Sequence, residues 1–136
     1  HRFDETLPGL EDIEWAKHWM ERGYAVVYEP QAAIHHIHEE TWPQVQRRYY
    51  REAVAARRIG IKGRRRIPLE LMSEGKNLAV DLFKATAEGR LAERSREIVR
   101  FRFWKAFGTV KGLWDGADLE DPQKREAVFF DRKSLS

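Results

Sequence analysis

Two short extended stretches in an otherwise helical chain set the strongest constraint on how this sequence can fold. Residues 24–28 read Tyr-Ala-Val-Val-Tyr, a run of β-branched and aromatic residues suited to a pleated surface. Glu29-Pro30-Gln31 turns the chain, and residues 32–36 form a second short extended stretch. A pair of strands is marginal in water by itself. The two therefore call for a further sheet, supplied by additional sequence or by a second copy of the chain.

The remaining pattern is helical. Across residues 10–22, Ile13, Ala16 and Met20 recur at helical spacing, and Trp15 and Trp19 lie one turn apart. Glu11, Asp12 and Glu14 fill the first turn, where the helix dipole favours negative charge, and Gly23 stands where such a helix stops. Thr41 is the expected N-cap of a second helix, with Pro43 early in it and an end near Arg58. Residues 59–68 read as an exposed loop. Residues 69–114 return to helix, broken near Gly89. The sequence thus predicts an α+β, mainly helical class with two short strands and about four helices. It divides into residues 1–58, a basic helical extension over 59–116 and a loosely ordered tail over 117–136.

With 136 residues there is room for one ordinary domain. Cysteine is absent, which excludes disulfides and thiolate zinc sites, and no apolar run reaches the length of a membrane span. Net charge is only +3, but between positions 47 and 66 the cations Arg47, Arg48, Arg51, Arg57, Arg58, Lys62, Arg64, Arg65 and Arg66 meet a single acid, Glu52. Such a block seeks phosphates, nucleic acid or a lipid surface. The opening on His1 instead of Met is how an internal piece or a processed product begins.

Three groups of residues can carry chemistry. Glu11 and Asp12 at a helix start meet free backbone N–H groups and the positive end of the dipole, which keeps a carboxylate ionised and oriented as a general base requires. Residues 34–38 read Ile-His-His-Ile-His, so on an extended segment His36 and His38 share one face, where two imidazoles can bind a divalent metal or a phosphate. Gln44 and Arg47 lie three apart on one helix face with Arg48 beside them, and arginine grips phosphate through two parallel bonds. Each group also has a plain structural reading: dipole complement, polar strand end and solvated basic helix.

Their order carries a resemblance. Phe3-Asp4-Glu5, the helix start Gly9-Leu10-Glu11-Asp12-Ile13-Glu14-Trp15-Ala16, Gly23-Tyr24, Tyr28-Glu29-Pro30, Ala33-Ile34-His35-His36-Ile37-His38, Thr41 and residues 44–48 together resemble family 2 glycosyltransferases of the GT-A type. The similarity spans roughly residues 2–55. It implies the carboxy-terminal part of a GT-A α/β fold, with residues 1–58 as the acceptor-side end of the catalytic domain. It implies an inverting transfer of sugar from a nucleotide-diphosphate sugar to an acceptor hydroxyl. Asp12 would be the base and Glu11 would shape the acceptor pocket. Gln44, Arg47 and Arg48 would lie toward the diphosphate, and a divalent cation, Mg²⁺ or Mn²⁺, would be met by His36, then His38. Processive relatives carry Gln-x-x-Arg-Trp, and here Arg48 stands in place of the tryptophan. The family's Asp-x-Asp is absent from this sequence, so the polypeptide alone is expected neither to bind a sugar nucleotide tightly nor to turn it over.

The implied partners are the nucleotide sugar and an acceptor glycan or lipid-linked acceptor, in the cytoplasm or at the inner face of the membrane, with self-association open. The alternative is a basic helical module for nucleic acid or a membrane surface. Nucleic acid accounts for the arginines but leaves the Glu-Asp helix unexplained. A membrane surface suits residues 96–114, where Val99, Phe103, Ala106, Val110 and Trp114 make one stripe. Beside it stand Arg96, Arg100, Arg102 and Lys105.

Overall fold

A computed structural model describes residues 1–32 and 40–116 of the chain. Four helices carry it: α1 (Glu11–Met20), α2 (Trp42–Arg58), α3 (Ile67–Ala87) and α4 (Leu91–Asp115). Single 3₁₀ turns, Pro30–Ala32 and Arg64–Arg66, precede α2 and α3. α4 is the central element, packed along α2 and against α3.

Local chemistry sets the ends of these helices. The Thr41 backbone N–H and hydroxyl both donate to Gln44 Oε1 at 2.8 Å, closing the start of α2. The break between α3 and α4 is a Schellman turn. The N–H of Arg90 reaches Ala85 O at 2.8 Å, that of Gly89 reaches Thr86 O at 3.0 Å, and Gly89 takes a φ of +69° that costs a residue without Cβ nothing. The C-terminus of α4 is capped by arginine. Arg57 Nη1 donates to Leu113 O at 2.9 Å and Arg64 Nε to Trp114 O at 2.8 Å, placing cations at the negative end of the dipole.

The buried apolar set is small-sided: Val45, Ala53, Val54, Ala55 and Ala56 of α2, Ala85 of α3, Leu113 of α4, and Leu7 from the segment before α1. Where α4 crosses α2, Gly108 and Gly112 bring the two backbones into direct contact. Between α3 and α4 runs an ion network. Arg102 donates to Asp81 at 2.6 and 2.8 Å and to Glu74 at 3.1 Å, and Lys105 reaches Glu74 at 2.8 Å. Arg102 and Glu74 are only 16% and 14% exposed, whereas the surface pair Lys17–Glu21 is 40% and 57% exposed. Arg102→Met is therefore expected to cost about 2 kcal/mol, because it leaves the half-buried Asp81 without its cation and Glu74 with Lys105 alone. Lys17→Met should cost under about 0.5 kcal/mol. Urea unfolding of both variants checks the ranking.

Two expectations from the sequence need correction. Among the described residues there is no strand, so the α+β class and the α/β portion of a GT-A fold are replaced by an all-helical arrangement. Residues 24–28 run as irregular, exposed chain, with Val27 and Tyr28 82% and 85% exposed. Their side chains favour a pleated surface, but the preference is realised only against a neighbouring strand, and none is present among the described residues. Ala32 closes a 3₁₀ turn, and residues 33–36 of the second expected strand lie outside the described residues, as does the tail over 117–136. The expected loop over 59–68 is shorter than anticipated, since Pro68 sits in the first turn of α3, where its missing N–H costs no bond.

Candidate functional site

The segment leading into α1 is a built turn. Thr6 donates to Asp4 Oδ1 from its backbone N–H at 2.9 Å and from its hydroxyl at 2.6 Å, and these bonds hold the Asp4 carboxyl below its usual range. Leu7 is fully buried, and Arg58 ties Thr6 to the end of α2 through Thr6 O at 3.1 Å and its Oγ1 at 3.0 Å. The chain then passes Pro8-Gly9 and enters α1 through Leu10, whose φ of 60° and ψ of 28° are left-handed. A side chain in that region costs about 1–2 kcal/mol, and such strain concentrates where a fold must aim functional groups. The next two residues are Glu11, half-buried, and Asp12, exposed. Neither engages another described side chain in a hydrogen bond or ion pair.

Leu10 also lines a cleft of ≈ 260 Å³ together with Tyr49, Glu52, Lys105 and Thr109. This brings the start of α1 to the turn of α2 that follows Arg48. Burial raises the Glu52 carboxyl above its ordinary value, against the opposing pull of Arg48 and Lys105. A carboxyl whose pKa is higher in the folded state contributes stability below the unfolded carboxyl range, and that contribution is lost as pH rises through the folded value. At pH 7 the ionised Glu52 is thus a net burden. Glu52→Gln is expected to raise stability at pH 7 by less than about 1 kcal/mol and to give no gain near about pH 3.5. Thermal unfolding at the two pH values checks both signs.

The second predicted group is placed on α2. Gln44 spends its side-chain oxygen on the cap at Thr41, which leaves its amide N–H groups for other contacts. Arg47 is exposed on the same face. Arg48 is half-buried: it pairs with Glu40 at 3.1 Å, its guanidinium lies 4.8 Å from the centre of the Tyr49 ring, and its Nε is buried without a partner. Beside it opens a cleft of ≈ 460 Å³ walled by Glu40, Trp42, Asp81 and Phe101. The third group, His36 and His38, lies outside the described residues.

One constellation escaped the sequence reading. His1, Glu14 and His18 bring three ligand atoms within 4.8 Å of one another. The His1 ring bonds Glu14 at 3.0 and 3.2 Å and stacks on His18 with centroids 3.7 Å apart and planes 6° from parallel. Partial burial, with Arg22 nearby, holds His18 below the ordinary imidazole range. A metal lies in the plane of each imidazole it binds, so two parallel stacked rings cannot both aim at one ion until one of them turns. The arrangement as it stands is a hydrogen-bonded, stacked pair. Glu14 and His18, four apart on α1, were legible as neighbours; the approach of His1 was not.

No family model, curated protein or solved structure matches this chain.

Proposed function

We propose that this sequence is the acceptor-side portion of an inverting family 2 glycosyltransferase. The observation that carries the reading is the Glu11–Asp12 pair, set at the N-terminus of α1 directly behind the left-handed Leu10. A helix N-terminus with a left-handed entry sets where the two carboxylates stand, at the positive end of the helix dipole. Asp12, the more exposed of the two, accepts the proton of an acceptor hydroxyl as that oxygen bonds to the anomeric carbon. The bond from that carbon to the diphosphate breaks in the same step, and the electron pair leaves with the nucleoside diphosphate. Glu11 walls the acceptor pocket. Arg47 and Arg48, with the free amide of Gln44, face the phosphates, where a guanidinium offers paired donors.

A divalent cation, Mg²⁺ or Mn²⁺, would balance diphosphate charge in such an enzyme. His36, then His38, remain its proposed ligands, and both lie outside the described residues. The His1, Glu14 and His18 group does not fit it, since these cations prefer oxygen ligands and the rings do not converge. The proposed setting is the cytoplasm, at the inner membrane face when the acceptor is lipid-linked. Among the described residues, no helix is long and apolar enough to cross a membrane.

The test is Asp12→Asn in the complete enzyme that this sequence would belong to, with transfer and donor binding measured separately. Lost transfer with retained donor binding is the expected result, and unchanged turnover would remove the assignment of the base.

A further inference from the structure

α4 presents two unlike faces. One carries Gly108 and Gly112 and lies on α2. The other carries Val99, Phe103, Phe107 and Trp114 in a single stripe, spaced four, four and seven residues apart, and these are 47%, 60%, 47% and 62% exposed. The Phe103 and Phe107 rings lie nearly parallel, 3° apart with centroids at 6.2 Å, forming a continuous aromatic edge. Exposed rings in a row, with no described element over them, mark a contact surface.

The charge along this row is mostly positive, with Glu97 and Asp115 at its two ends. No acidic residue occurs from Ile98 to Trp114, nor from Ala53 to Leu69. The two acid-free segments meet where the Arg64 guanidinium lies over the Trp114 ring at 5.3 Å and bonds the Trp114 carbonyl. Arg65 and Arg66 continue from that junction, while Arg96 and Arg100 stand along α4; all four are exposed, and none makes an ion pair with a described residue.

We propose that this face of α4 docks on an anionic phospholipid surface, with the aromatic row at the boundary of headgroups and acyl chains and the arginines on the lipid phosphates. A basic helix with an aliphatic and aromatic edge lies in the plane of such an interface. Nucleic acid would satisfy the arginines and stack on a ring, but it offers no apolar layer for Val99 and a pair of phenyl rings side by side. The inference stands on α4 and the arginine turn alone, and does not depend on the transferase reading.

Sedimentation of the 136-residue chain with vesicles tests it. Binding is expected to phosphatidylglycerol-containing vesicles and not to pure phosphatidylcholine, with release on raising salt from about 50 to about 500 mM. Phe103→Ser and Trp114→Ser, both at exposed positions, should each weaken binding about tenfold with the circular dichroism spectrum unchanged. Arg96→Glu with Arg100→Glu should do the same through charge. Absence of binding at low salt overturns the proposal, as does binding that both serine variants retain in full. Two further outcomes also overturn it: single-stranded RNA holding the chain more tightly than the vesicles do, or a dimer that Phe103→Ser dissociates in a chain that ignores lipid.

Discussion

Gly112→Ala is expected to lower the stability of the chain by about 3 kcal/mol, although alanine is the better helix former by about 1 kcal/mol. The reason is the crossing of α4 over α2. A Cβ at Gly112 would stand 2.5 Å from the Tyr50 carbonyl oxygen and 2.7 Å from Ala53 Cβ. A Cβ at Gly108 would strike the Gln46 carbonyl oxygen and come within 3.2 Å of Tyr49 Cβ. The obstructing atoms are backbone carbonyls inside the hydrogen-bond ladder of α2, which cannot swing aside as a flexible side chain can. The whole of α4 must therefore lift, and lifting it disturbs the packing around Val54 and Leu113, both of which are fully buried. Gly75, in the middle of α3 and exposed, has nothing within 4 Å of its missing Cβ. Gly75→Ala is the internal control and should gain about 1 kcal/mol from helix propensity alone. The double variant at Gly108 and Gly112 should lose less than the sum of the single losses, because one separation of the helices relieves both clashes. Urea unfolding followed by circular dichroism gives all four values. A Gly112→Ala chain as stable as Gly75→Ala would mean that the two helices do not meet at this crossing.

The helices were legible because their punctuation is local. Gly23, Thr41 with Pro43, and Gly89 each act within one turn, so the expected starts and stops fall within about two residues of those observed in α1, α2 and the α3–α4 break. The strand expected over 24–28 failed for the converse reason: a strand is made by its neighbour, and side-chain preference in one segment says nothing about whether that neighbour exists. The α4 stripe that suited a membrane surface is exposed at Val99, Phe103 and Trp114. Val99, Phe103 and Trp114 have the spacing of a core-facing edge, yet the side that is buried carries glycines. The spacing of Gly108 and Gly112, one turn apart, was the available sign of close helix approach. A search for large apolar residues passes over it.

The candidate site was legible only as far as chain-local chemistry reaches. That Glu11 and Asp12 open a helix follows from their place after Pro8-Gly9, and the structure agrees. The left-handed Leu10 does not follow, because leucine carries no preference for that conformation. The segment just before it is held from far along the chain, where Arg58 bonds Thr6, and Leu7 is buried. The cap at Thr41 was legible from Thr41 and Pro43, but Gln44 was assigned to substrate and not to the cap. Its oxygen is committed to Thr41, so any contact it makes with phosphate comes from its amide nitrogen.

On the proposed transferase reading, Asp12→Asn is expected to reduce sugar transfer by the enzyme that would contain this sequence by about 10²–10⁴-fold, the range lost when a positioned general base is removed. Asn keeps the size and polarity of Asp12 and removes only the ability to take up a proton. Because Asp12 is exposed and bonds no other described side chain, the helix should survive the change. Affinity for the donor should stay within about twofold, since the base acts on the acceptor hydroxyl and its interaction strengthens only in the transition state. The loss therefore belongs in kcat and not in donor KM. The acidic limb of the pH–rate profile gives a second readout: it reports protonation of the base in the unmodified enzyme and should disappear in the Asn variant. Glu11→Gln separates the two carboxylates. If Glu11 only walls the pocket, its loss raises acceptor KM and leaves the acidic limb in place. If Glu11→Gln abolishes the limb while Asp12→Asn keeps it, the base is Glu11, and the turn at Leu10 aims the half-buried carboxylate instead of the exposed one.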